Sequence, residues 1–198
     1  MSERELSPTQ QRTRAALIRA GIEVLSNDPS APLGEVAARA DVARSTLHRY
    51  FADKKALTDA VTEFVGAEHD AAVVRANLTE GTGLEAMRRL ALELMDRLDV
   101  LAWIMGPAMM VGDLPDGGFD EIMSGEPDQA VLDAVARGIA DGSIDAALSP
   151  QWCESMLWSV LFSANHAPAA AGMTTTEART QALRSLLKAI AADPGAVR

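Results

Sequence analysis

Cysteine is almost absent: Cys153 is the single one in 198 residues, so no intramolecular disulfide can form and nothing calls for an oxidising compartment. Strand formers are also sparse. Aromatic residues make up 4% of the chain, and Ala, Leu, Met, Glu and Arg predominate, a balance that favours helix over sheet. No apolar run approaches the ~20 residues that a membrane-spanning helix needs, and the opening MSERELSPTQQRTRAA lacks the apolar core of a signal peptide. The expected compartment is therefore the cytoplasm. His48, His69 and His166 share no i, i+4 spacing, and Cys153 has no second cysteine to form a ligand pair, so no metal is expected. Neither a catalytic acid–base pair nor a phosphate-cradling glycine loop stands out, which leaves an enzyme without chemistry and gives no reason to expect a cofactor.

What is present is unevenly distributed. The formal net charge is -10, which at first argues against nucleic acid as a partner, because phosphate contacts come mostly from Lys and Arg. Residues 1–60, however, hold nine Lys or Arg against eight Asp or Glu, whereas residues 61–198 hold nine against twenty. Two regions with different partners are implied.

Apolar periodicity predicts an all-α protein. Residues 9–27 place Leu17, Ile18, Gly21, Val24 and Leu25 at helical spacing, with Arg12, Arg14 and Arg19 near the other side. Those arginines suit either the DNA backbone or a solvated helix face. The turn DPSAP follows, with Pro32 suited to a first helical turn. Next come a short helix LGEVAARA, a break at Asp41-Val42-Ala43, a second short helix RSTLHRYF, and a long helix from about Lys54 to Asn77 that Asp53 is placed to cap. Beyond Gly83, the stripe Leu84, Met87, Ala91, Leu94, Leu98, Leu101 and Met105 predicts one continuous helix, ended or kinked at Gly106-Pro107. Residues 112–125 form a Gly- and Pro-rich stretch suited to a lid. Three further helices are expected over 127–141, 150–168 and 175–192, the last opened by Thr174-Thr175-Thr176-Glu177.

The most informative stretch is EVAARADVARSTLHRYF, residues 35–51. A helix-turn-helix needs a small residue where its helices cross, a tight turn, and apolar residues that set the second helix against the first. Val36 and Ala40 face inward, Ala37 permits close approach, Val42 plugs the turn, and Leu47 and Tyr50 face back from the second helix. Arg44, Ser45, Thr46 and His48 are left on the exposed side, where a recognition helix meets base edges in the major groove. Arg44 suits guanine, and Ser45 and Thr46 suit hydrogen bonds or methyl contact with bases. His48, Arg49, Tyr50 and Lys54 lie where phosphate contact is expected, although Tyr50 equally suits core packing.

The segment from Thr13 to Val61, above all APLGEVAARADVARSTLHRYFADKKALTDAV, resembles the amino-terminal domain of TetR family regulators. The resemblance covers about a quarter of the chain and rests on the Thr46-Leu47-x-Arg49-x-Phe51 core and the Lys-Ala-Leu that follows. It implies a three-helix DNA-binding domain, placed here at 9–52, joined by a long fourth helix to a helical ligand-binding and dimerisation domain at 53–193. Three departures stand out. Asp41 occupies the turn position that usually holds Gly, at a mild cost because Asp tolerates positive φ. Ala43 replaces the usual capping Ser or Thr. The family's Tyr-x-His order appears here as His48-Arg49-Tyr50.

In the second domain Met and Trp are prominent, as adaptable core filler or as the lining of an apolar pocket. The expected ligand-binding set is Phe64, Trp103, Met105, Met109, Phe119 and Met156. Cys153 reads as a buried small apolar residue and His69 as an exposed helix residue. Ser159, Ser163 and Ala167 on one helix, with Leu183, Leu186, Leu187 and Ile190 on the last, are what the resemblance implies for a homodimer interface. The expected whole is a cytoplasmic repressor that binds double-stranded palindromic operator DNA as a homodimer and is released by a small apolar effector. Two alternatives stay open: a DNA-binding regulator without an effector, and a helical ligand carrier.

Overall fold

The computed structural model describes residues 7–105, 128–195 and 197. Nine helices are present among the described residues: α1 (Pro8–Leu25), α2 (Leu33–Arg39), α3 (Arg44–Tyr50), α4 (Lys54–Ala76), α5 (Gly83–Met95), α6 (Leu98–Met105), α7 (Gln129–Ala140), α8 (Pro150–Ala171) and α9 (Thr175–Ile190). The only β-type pairing among them is an isolated bridge between Ile144 and Ala191. Among the described residues no helix is long and apolar enough to cross a membrane.

The chain divides into two compact units. Of the described residues, the first holds those up to Ala67 and those of 99–105, and the second holds Glu68–Leu98 and the residues from 128 onward. The division falls inside α4, so this single helix of 23 residues contributes to both.

In the first unit α1 begins at a capping box, in which the Ser7 hydroxyl accepts from the Gln10 amide and the Gln10 side chain accepts from the Ser7 amide. Leu17, Ile18 and Leu25 of α1, Val36 of α2, Leu47 of α3 and Leu57 and Val61 of α4 form a closed apolar core. Gly21 has a packing reason: a Cβ there would stand 3.2 Å from Val61 Cγ2. Asp53 caps α4 as expected, its Oδ1 accepting the Ala56 N–H at 2.8 Å.

The second unit corrects the expectation of one helix from Leu84 to Met105. The chain turns at Asp96-Arg97, where the Asp96 N–H returns to Leu92 O and the Arg97 N–H to Leu94 O, both at 3.0 Å. Both side chains are drawn to tertiary partners, Asp96 to Arg179 at 3.2 Å and Arg97 to Glu68 at 3.0 Å. The apolar stripe nevertheless stays buried through the break at Leu94, Leu98, Leu101 and Met105. A second correction concerns α8, which runs past Pro168 to Ala171 and closes at Gly172 with φ 64°. The start of α5 is held from outside its own helix: the Gly83 N–H donates to Asp141 Oδ2 at 3.0 Å and the Leu84 N–H to Ser143 Oγ at 3.1 Å. Of the apolar ridge expected on α9, Leu186, Leu187 and Ile190 are buried within the unit and Leu183 is half-buried.

Candidate nucleic-acid interface

The helix-turn-helix forms in the expected register. The Ala40 N–H bonds back to Val36 O and the Val42 N–H to Ala37 O, each at 3.0 Å, closing the turn behind α2. Asp41 takes the left-handed conformation, φ 53°, a region that Asp reaches at lower cost than most non-glycine residues. Ala43 stands at the N-cap of α3 in extended conformation with no side-chain hydrogen bond to the helix, so the first amides of α3 lack the side-chain cap that a Ser or Thr would supply.

Leu47, fully buried, anchors α3. Around it Arg44, Ser45, His48 and Arg49 are exposed, while Thr46 and Tyr50 are half-buried. Among the described residues nothing donates to, accepts from or pairs with the side chains of Arg44, Ser45 and His48. The Arg49 guanidinium lies over the Tyr50 ring, 5.5 Å from its centroid. That contact directs Tyr50 to arginine stacking and partial burial at once. Arg14 of α1 lies 5.7 Å from the centroid of Phe51, a stack that ties α1 to the end of α3. Arg39 is paired with Glu23. The exposed face of α3 thus carries a guanidinium, a hydroxyl and an imidazole on a helix held by its buried side.

Lys54 departs from the expectation of a free cation offered to phosphate. Its ammonium is turned inward and donates to the carbonyl oxygens of Pro29 and of Ala31, the latter at 3.0 Å. A separation of 25 residues between Lys54 and Pro29 leaves no local sequence signal for this contact. The nearest hint is the turn-forming Asp28-Pro29-Ser30.

Four of the six residues expected around a ligand lie among the described residues. Phe64, Trp103 and Met105 belong to the first unit and Met156 to the second, while Met109 and Phe119 lie outside the described residues. Phe64 lines an open recess of about 320 Å³ with Gln11, Arg14, Ala15 and Ile18. Trp103 is buried, its indole N–H donating to Thr62 Oγ1 at 3.2 Å, so it packs against α4 as core. Cys153 is fully buried, as expected, and burial pushes its thiol pKa up.

Sequence reasoning missed a polar and aromatic group in the second unit. His69, half-buried and not exposed, stacks on Trp158 with ring centroids 5.7 Å apart and planes 20° from parallel. Glu154 lies one turn before Trp158 on α8 and accepts the Asp128 N–H at 3.1 Å. Burial raises its pKa, which the Asp128 N–H and His69 partly offset. The i, i+4 spacing of Glu154 and Trp158 was visible in the sequence, but their pairing with α4 was not.

The described residues thus combine an amino-terminal helix-turn-helix with an all-helical body, the layout expected from the resemblance to TetR family regulators. Residues 17–61 match the model of the bacterial regulatory proteins, tetR family. The HTH-type transcriptional repressor LfrR of Mycolicibacterium smegmatis is 28% identical over 155 residues, spanning 78% of each chain. The solved structure of LfrR in complex with proflavine superposes with a TM-score of 0.66 at 27% identity, covering 90% of this chain and 96% of that one. KstR2, a ketosteroid transcriptional regulator of Mycobacterium tuberculosis, has the same fold at 15% identity, with a TM-score of 0.64 and coverage of 90% and 94%.

Proposed function

We propose that this chain is a ligand-responsive transcriptional repressor that binds a palindromic operator as a homodimer, reads it with α3 and releases it when a small, largely apolar molecule binds the regulatory domain. The DNA-binding domain is assigned to 9–52 and the regulatory domain to 53–193, in the cytoplasm. The observation that carries the reading is α3 itself. Its Arg44, Ser45 and His48 are exposed without side-chain partners among the described residues, while Leu47 on the opposite face is fully buried. An exposed guanidinium without a partner, on a rigidly anchored helix, is suited to bidentate contact with guanine.

Ser45 and Thr46 complete the base-reading edge, and His48, Arg49 and Tyr50 meet the flanking phosphates. Two copies place two such helices in successive major grooves, roughly 34–36 Å apart. That the regulator responds to a small molecule is supported by the relative LfrR, whose solved structure is a complex with proflavine. Phe64, Trp103, Met105, Met109, Phe119 and Met156 are the proposed ligand residues, Trp103 as a buried side chain beneath the site.

The test is selection of duplexes from a random pool, followed by binding to variants of the recovered palindrome. Arg44→Ala relaxes preference at one position per half-site, by about 1–3 kcal/mol for a good bidentate contact. Recovery of no palindrome, or an unchanged profile for Arg44→Ala, refutes the reading.

A further inference from the structure

Resting on the reading of α3 as the recognition helix, we propose that Lys54 is a positioning residue, whose ammonium clamps the α1–α2 turn and thereby sets where α2 and α3 stand. The turn is built to receive it. Asp28 Oδ1 accepts from the Ser30 N–H at 2.8 Å and from the Ser30 hydroxyl at 2.6 Å, and the Ala31 N–H returns to Asp28 O at 3.1 Å. Pro29 and Pro32 further restrict this short segment. The carbonyls of Pro29 and Ala31 are thereby turned together onto Lys54.

The charge fits the same site. Hydrogen bonds from Ser30 hold the Asp28 carboxyl below its ordinary pKa, and the Lys54 charge contributes to that lowering. A cation at the first residue of α4 faces the positive end of the helix. Two carbonyl oxygens offset that repulsion and occupy two of the three ammonium donors.

From the clamp to the reading surface the path is short and continuous within one unit. Ala31 precedes Pro32, the N-cap of α2. Ala37 of α2 then accepts the Val42 N–H that closes the turn into α3. Losing the clamp frees the start of α2 and with it the angle at which Arg44 is presented.

Three roles for Lys54 differ in what they do to DNA binding. Loss of a phosphate contact weakens binding to all duplexes alike and flattens the dependence of log K on log salt by about 0.9 per phosphate, about 1.8 for the two copies of a homodimer. A purely structural contact lowers Tm but leaves the folded protein's binding intact. A positioning contact costs specific binding alone.

The experiment compares the full-length wild type, Lys54→Met and Lys54→Arg on the duplex selected by the wild type and on a scrambled duplex. Salt is varied at a temperature where circular dichroism shows each variant folded, and Lys54→Gln replaces Lys54→Met should the latter not fold. Lys54→Met is expected to lose roughly tenfold affinity for the selected duplex, the size of one lost base-pair contact. Scrambled-duplex affinity and the salt slope are expected to stay unchanged, and Lys54→Arg is expected to recover part of the loss. Equal weakening of both duplexes with a flatter slope overturns the proposal in favour of phosphate contact. Unchanged affinity in the folded variant overturns it in favour of a structural role. Failure of the wild type to select any duplex falls on the proposed function instead.

Discussion

Gly83 and Gly138 meet backbone to backbone: a Cβ on Gly83 would stand 2.3 Å from the Gly138 Cα and N and 2.5 Å from Ala134 O. The first turn of α5 therefore lies directly on α7, and no rotamer relieves a clash with main-chain atoms. Gly83→Ala is expected to destabilise the protein by about 1–3 kcal/mol, as overpacking does in a closed core. Urea unfolding checks this; an unchanged midpoint would show that the two helices separate freely.

Asp41, at φ 53°, carries a backbone cost that Gly does not. Asp41→Gly is expected to hold or slightly raise stability, and Asp41→Ala to lower it by about 1 kcal/mol. Thermal unfolding of the pair separates a strained turn from one held by the carboxylate, because the latter would lose stability in both variants.

At Glu177 the N–H and hydroxyl of Thr174, both bonded to Oε2 at 2.8 Å, hold the carboxyl below its ordinary range. A depressed folded pKa means that the box contributes stability above the ordinary glutamate pKa and loses it as pH falls through the depressed value. Glu177→Gln should therefore remove part of the acid-side fall in Tm while lowering Tm at neutral pH. Parallel Tm–pH profiles for wild type and variant would show that the box is not a source of acid sensitivity.

On α8 and α9 an open recess of about 200 Å³ is bordered by Val160, Ser163, Ala167, Gln181 and Ser185 among others, and Ser163 is exposed. If two copies pair through this face, a long charged side chain there blocks close approach without touching the unit's own core. Ser163→Arg is expected to sediment as a folded monomer with weakened operator binding, because each half-site loses the avidity of the pair. An unchanged dimer would place the interface elsewhere.

The local signals were legible in the sequence because their causes are local. The 3.6-residue spacing of Leu17, Ile18, Leu25 and Leu47 marked buried faces, Asp53 and Thr174 announced helix starts, and Asp41 implied a left-handed turn; all appear as read. The helix-turn-helix was legible for the same reason, its geometry being contained within 17 residues, 35–51. What tertiary structure decided was which groups meet across long separations. Periodicity carried the stripe from Leu84 to Met105 straight through Asp96-Arg97, whereas the helix breaks there and the two side chains pair with Arg179 and Glu68. Leu187 read as an outer ridge because amphipathic spacing tells which face is apolar and not what covers it. Lys54 read as a surface cation because the carbonyls that hold it lie in another turn. Side-chain type and spacing determine the helices and the chemistry of the α3 surface, whereas the chain's folding back decides which cations stay free to meet DNA and which are spent holding the domain in shape.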